Sequence, residues 1–138
     1  MTKLKKDFFS DELLFVGYSA RNKGFSNKIY QTFSDNGIRV YPMNNKENNY
    51  DVKVYQTMED LPTVPECAYV LLNKDNTKQV VKELVDNGVK KILFHNKKIV
   101  DSETLEECSK QGIETAVACP MMIFGSGIHK IHAFFAGV

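Results

Sequence analysis

Gly17, Ser19 and Gly24 in the stretch "LLFVGYSARNKGFSNKIYQTF" have the types and spacing to meet an anion. An apolar run precedes them and an amphipathic run follows, which places them in the turn between a strand and a helix. Gly17 lets the backbone turn sharply there, Ser19 offers a hydroxyl, and Gly24 permits close approach near the helix start. The unpaired N–H groups of a helix N-terminus, with their partial positive charge, suit a pyrophosphate. Arg21 adds a planar guanidinium fork, which matches phosphate better than a flexible ammonium does. A plain strand-to-helix turn shaped by the two glycines, with no ligand, is compatible with the same spelling.

Other chemistries are disfavoured by spelling. A nucleophile elbow needs glycine two residues after the serine, where this chain has Arg21. A dinucleotide fingerprint needs G-x-G-x-x-G and an acid at the end of the second strand. This loop reads G-x-S-x-x-x-x-G, and the second strand ends "VYPMNN", with Asn44 where the acid belongs. His129 and His132 share a helix face, but no third ligand is spaced with them, so no metal is expected. Cys67, Cys108 and Cys119 are widely separated and odd in number, which suits reduced thiols and a cytoplasmic setting. Cys67 and Cys108 read as core fillers. Cys119 reads either as a filler or as a thiol placed near a ligand. No triad or carboxylate pair is present in the pattern.

The elements that must hold these residues alternate along the chain. Apolar runs at 13–17, 38–43, 67–72, 91–94 and 113–118 read as strands, with a weaker one at 52–55. Between them, Phe25, Ile29 and Phe33 share one helix face ended by Gly37. Val80, Val81, Leu84 and Val85 mark a second helix, with Asn76 or Thr77 as N-cap and Gly88 as its stop. Asp101 and Ser102 open a third, closed by Gly112, and Thr57 with Asp60 has capping-box spacing around Met58. Strands apolar on both faces, alternating with helices, predict an α/β fold: a Rossmann-like, doubly wound, mostly parallel sheet forming a single domain over residues 1–138. Past the strand ends lie Ser19 to Lys23, Asn44 to Lys46, Asn73-Lys74, His95 to Lys98 and Cys119-Pro120. These segments are rich in amides and cations and poor in carboxylates, the outline of an anion site.

The net charge of +1 over 138 residues argues for no nucleic acid and no anionic membrane surface as partner. No apolar run is long enough to span a bilayer, and "MTKLKKDFFS" has no signal core. The tail from Ile128, with Ile131, Phe134 and Phe135, is apolar around much of its circumference. It is expected either to form a two-fold homodimer or to be swallowed by a groove of its own monomer.

The stretches "FVGYSARNKGFSNKIYQTFSDNGIRVYPMN", "KVYQTMEDLP", "AYVLLNKDNTKQVVKELVDNGVKKILFHN" and "GIETAVACP" cover most of the chain in one order. In that order the sequence resembles the CoA-binding domain family of the YccU type, and is similar to the N-terminal CoA-binding domain of the succinyl-CoA synthetase alpha subunit. The resemblance implies a fold that holds CoA by its ADP moiety. It implies Gly17, Ser19, Ala20 and Arg21 for the pyrophosphate, and Met43, Asn44 and Lys46 for the nucleotide after the second strand. Leu72 and Asn73, then His95 and Asn96, would line the remaining walls. "YPMNN" departs from the family's more usual V-N-P ending, and the charged residues that commonly follow its Cys-Pro are replaced here by "MMIFG". The synthetases' phosphohistidine belongs to a further domain outside this sequence, so their ligase chemistry does not carry over. The expected function is binding of CoA or an acyl-CoA without catalysis. The alternatives are a small NAD(P)-dependent oxidoreductase and an interaction module with a vestigial nucleotide site.

Overall fold

The computed structural model describes residues 8–20, 23–46 and 48–124. Its elements are β1 (Glu12–Val16), α1 (Lys23–Asp35), β2 (Arg39–Met43), a 3-10 turn (Met58–Asp60), β3 (Cys67–Val70), α2 (Lys74–Asp86), β4 (Lys91–Phe94), α3 (Ser102–Lys110), β5 (Glu114–Val117) and α4 (Pro120–Phe124). All strands pair in parallel in the order β2-β1-β3-β4-β5, with Val16 opposite Met43 on one side and Val70 on the other. This is the α/β, Rossmann-like doubly wound sheet that the alternating pattern predicts.

Strand alternation distributes the core over two faces. Leu14, Val16, Tyr41, Met43, Ala68, Val70, Ile92 and Phe94 point to one side, where Val81 and Leu84 of α2 and Cys108 of α3 pack on them. Leu13, Phe15, Cys67, Tyr69 and Leu93 point to the other, under Ile29 and Phe33 of α1 and Ile123 of α4. Both faces are covered, which is why the central strands are apolar throughout rather than alternating.

Three local expectations change. The weak strand at 52–55 reduces to one bridge, Met43 to Tyr55, so the sheet has five strands and Cys119 follows the fifth. In the bridge, Tyr55 N–H donates to the Pro42 carbonyl and Asn44 N–H donates to the Tyr55 carbonyl, both at 2.9 Å. The N-cap of α2 is Asn73, whose side-chain oxygen accepts from the Asn76 N–H at 2.8 Å, rather than Asn76 or Thr77. Thr77 is fully buried within the helix. Thr57 precedes the 3-10 turn, but its side chain makes no capping bond. Arg21 and the apolar tail from Ile128 lie outside the described residues.

Candidate functional site

From β1 the chain runs outward to β2, then returns past β1 to start β3. The carboxyl ends of β1 and β3 therefore flank the point where strand order reverses, the place where open α/β sheets bind ligands. Gly17 begins the β1–α1 turn at φ +101°, and a Cβ on it would lie 2.1 Å from the Leu71 carbonyl oxygen. That oxygen lies just past the end of β3, where the Leu71 N–H donates to the Val16 carbonyl at 2.9 Å. Beyond the sharp turn expected of it, this glycine lets the backbone pass close to the chain leaving β3. Gly17 and Tyr18 N–H groups both donate to the Met43 carbonyl, at 2.9 and 3.3 Å, which stitches the turn to β2 as well. Ser19 N–H donates to the fully buried Ser26 Oγ at 3.0 Å. The first three amides of the turn are therefore engaged within the chain. At Gly24, in the first turn of α1, an added Cβ would meet nothing within 4 Å among the described residues.

Tyr18 sends its side chain to the α1 face. Its hydroxyl donates to Asp51 Oδ1 at 2.7 Å, and Asn27 of α1 donates to the other oxygen of the same carboxylate at 3.2 Å. Burial, reinforced by Asp51, pushes the Tyr18 phenol up to about 12. Asn44 works on the opposite side of the turn. Its Nδ2 donates to the Tyr18 carbonyl at 2.9 Å, and its Oδ1 accepts from the Lys46 N–H at 3.0 Å. A carboxylate could accept from Lys46 but has no proton to give Tyr18, which is the physical reason for an amide here. Asn44→Asp is accordingly expected to lower stability by about 1 kcal/mol at neutral pH, the cost of leaving a half-buried carbonyl without its donor. The introduced carboxyl can donate only when protonated, so its folded pKa is raised. The lost stability should be recovered as pH falls through that pKa and be fully present below the unfolded value. Urea melts at pH 4 and pH 7 that show the same deficit would remove this role.

A cleft of about 390 Å³ opens between these strand ends, the 3-10 turn and α2. Val16, Gly17 and Met43 form its buried floor, and Leu72 and Val80 its apolar wall. Amides from Asn44, Asn45, Gln56, Asn76 and Gln79 line its polar side, together with Thr57 and the carboxylates of Glu59 and Glu83. Of the residues singled out from sequence, the cleft brings together Gly17, Met43, Asn44 and Leu72. Asn76 and Val80 read from sequence only as helix residues, and Gln79 and Glu83 do not enter that reading at all, although the four stand at i, i+3, i+4 and i+7, one helix face once Asn73 is the cap. Gln56, Thr57 and Glu59 reach the cleft through the Tyr55 bridge, of which the sequence shows only a weak strand at 52–55 and nothing of its partner. Among the described residues the lining includes two carboxylates and no cation, unlike the cation-rich strand ends. The carboxylates come from the 3-10 turn and a helix flank, not from the strand-end loops.

The other expected residues lie elsewhere. Ser19 and Ala20 are half-buried in the β1–α1 turn, and Lys46 is exposed just past Asn44. Asn73 caps α2, and Asn96 accepts from the Lys98 N–H at 2.9 Å. His95 sits on the opposite face of the sheet, where its Nδ1 pairs with the Tyr69 hydroxyl at 2.8 Å and its ring meets the edge of Phe25. Burial lowers its pKa. Cys119, half-buried, packs on the same face of the sheet as Tyr69. Among the described residues no group of three or more His, Cys, Asp or Glu side chains could hold a metal ion.

Solved structures share this architecture. A conserved hypothetical protein from Pyrococcus furiosus superimposes with a TM-score of 0.70 at 23% identity, over 83% of this chain and 98% of that one. A hypothetical protein from Pyrococcus horikoshii OT3 gives 0.73 at 19% identity, over 87% and 84% of the two chains. A protein from Thermus thermophilus gives 0.72 at 14% identity, over 94% and 92%. Identities this low establish the fold alone. No curated protein matches the sequence. The profile of a family described as a CoA binding domain matches residues 12–125, from the first residue of β1 to the residue after α4. By that match, which spans the whole sheet and the cleft at its carboxyl edge, this chain belongs to the CoA binding domain family.

Proposed function

We propose that the chain binds CoA or an acyl-CoA by its ADP moiety, in the cleft between the β1–α1 turn and α2, as a binding domain without catalysis of its own. The observation that carries this reading is the position of an apolar-floored, amide-rimmed cleft at the reversal point of the sheet, in a chain of this family. A purine would lie on Met43, Leu72 and Val80, and the amides would bond its edge. Glu59 and Glu83 would accept from the exocyclic amine or from a ribose hydroxyl. The pyrophosphate would turn toward the start of α1 beside Gly24, with Arg21 as its cation. Three cysteines without a disulfide partner support a reducing, cytoplasmic setting.

NAD carries the same ADP half, but its ribose presents a free diol at the end of β2, where the Asn44 amide is already engaged with Tyr18 and Lys46. NAD is therefore expected to bind at least about tenfold more weakly than CoA, the difference one good polar contact makes. Isothermal titration with CoA, followed by competition with NAD, measures this. Displacement of CoA by NAD at matching concentration would overturn the reading in favour of a dinucleotide site.

A further inference from the structure

The segment 50–55 returns along the outer edge of β2, the last strand on its side of the sheet. Tyr50, Val52 and Val54 pack with the core on the α1 face, and Tyr55 packs with the core on the cleft face. The residues that follow, Gln56, Thr57 and Glu59, line the cleft. Asp51 lies in this segment and is exposed, yet both of its carboxylate oxygens are engaged. Oδ1 accepts from the Tyr18 hydroxyl at 2.7 Å, and Oδ2 accepts from Asn27 Nδ2 of α1 at 3.2 Å. Tyr18 is fully buried, with its ring set edge-on to Tyr30 and Tyr50 at 6.2 and 6.3 Å. A buried ring that is also held at its hydroxyl leaves its own main chain little freedom. That main chain organises the cleft. The Tyr18 carbonyl accepts from Asn44 Nδ2 at 2.9 Å, and the preceding residue, Gly17, belongs to the floor. One carboxylate therefore joins three parts of the cleft border to α1: the β1–α1 turn, the end of β2, and the segment that delivers Gln56.

We infer that Asp51 is a positioning residue of the cleft, acting through Tyr18 although it does not itself line the site. The inference rests on the CoA reading above and adds a residue that shapes the site from the α1 side of the sheet edge. A cleft bordered by separate chain segments binds in proportion to the fraction of molecules in which those borders are in place. Breaking the Tyr18–Asp51 bond uncouples the returning segment from the turn and lowers that fraction.

The test is isothermal titration of the full chain with CoA, for the wild type, Tyr18→Phe, Asp51→Ala, the double variant and Asp51→Asn. Urea melts first establish that each sample is folded at the titration temperature. In a fully folded sample lost stability leaves affinity unchanged, so the titration separates positioning from mere support. Tyr18→Phe and Asp51→Ala should each weaken CoA binding about fivefold, the population shift that one hydrogen bond governs. The double variant should lose no more than the larger single loss, because both residues act through one bond. Asp51→Asn should keep the wild-type affinity, since its carbonyl still accepts from Tyr18 and Asn27 can turn its own carbonyl to the new amide. If Asp51→Ala does not fold, Tyr18→Phe, which keeps the buried ring, decides the matter by itself. Wild-type affinity in Tyr18→Phe, losses that add in the double variant, or a loss in Asp51→Asn equal to that in Asp51→Ala would each overturn the positioning role and leave the CoA reading standing. A wild type that binds no CoA would instead overturn the CoA reading, and the positioning role with it.

Discussion

Gly17→Ala is expected to lower the stability of the fold by about 3 kcal/mol and to abolish the cleft's shape. Two effects combine at this position. A φ of +101° is strained for any residue with a Cβ, and the Cβ itself would stand 2.1 Å from the Leu71 carbonyl oxygen. Neither side can yield cheaply. The Leu71 backbone is held by its N–H bond to the Val16 carbonyl, and the Gly17 N–H is held by the Met43 carbonyl, both at 2.9 Å. Relief requires β1 and β3 to part at the carboxyl edge, where they flank the cleft. Gly88 supplies the control, since it has φ +94° with nothing among the described residues within 4 Å of an added Cβ. Gly88→Ala should lose only about 1 kcal/mol, the strain alone. Urea denaturation of both variants measures the difference. Equal losses would show that the contact with Leu71 contributes nothing.

Arg21→Ala is expected to weaken CoA binding by about 1.5–3 kcal/mol, the range for a charge-assisted hydrogen bond to phosphate. The structure sharpens the reason. Gly17, Tyr18 and Ser19 spend their N–H groups on Met43 and Ser26, so the early turn has no amide to spare for an anion. Among the described residues, no cation lines the cleft. Compensation for a pyrophosphate must then come from the later part of the turn and from the helix start, and Arg21 is the guanidinium in that segment. Lysine at this position should restore only part of the affinity, because the planar fork is lost. Calorimetry showing unchanged affinity for Arg21→Ala, with an intact fold by circular dichroism, would remove Arg21 from the site.

Much of this molecule is written in local pattern. The runs that became β1 to β5 are apolar because both faces of a parallel sheet are covered. Phe25, Ile29 and Phe33 share a helix face because four residues complete little more than one turn. Alternation even sorts the strand residues into two sets: Leu93 and His95 belong together, as do Ile92 and Phe94. The end of β1, with a glycine and then a small polar residue, was legible as a tight turn from spelling alone. So was the absence of an acid after β2.

What local pattern does not carry is which of two faces a set belongs to, and what crosses the sheet to meet it. A period of two has no absolute sense. Crossover handedness and strand order decide that α2 covers Val16, Met43 and Leu72, while α1 covers His95. The split between the cleft and the Tyr69–His95 pair is therefore a tertiary result. Likewise, Asn44 reads in sequence as a missing acid and in the fold as a clamp, because only the fold brings the Tyr18 carbonyl within 2.9 Å of its amide. Glu59 and Glu83, separated along the chain, line one cleft because the bridge from Tyr55 to Met43 brings the 3-10 turn to the carboxyl edge of the sheet, across the cleft from α2. Long-range pairing of that kind is decided by the free energy of the whole packed sheet, whereas strands, helix faces and turns are decided by sterics and burial within a few residues.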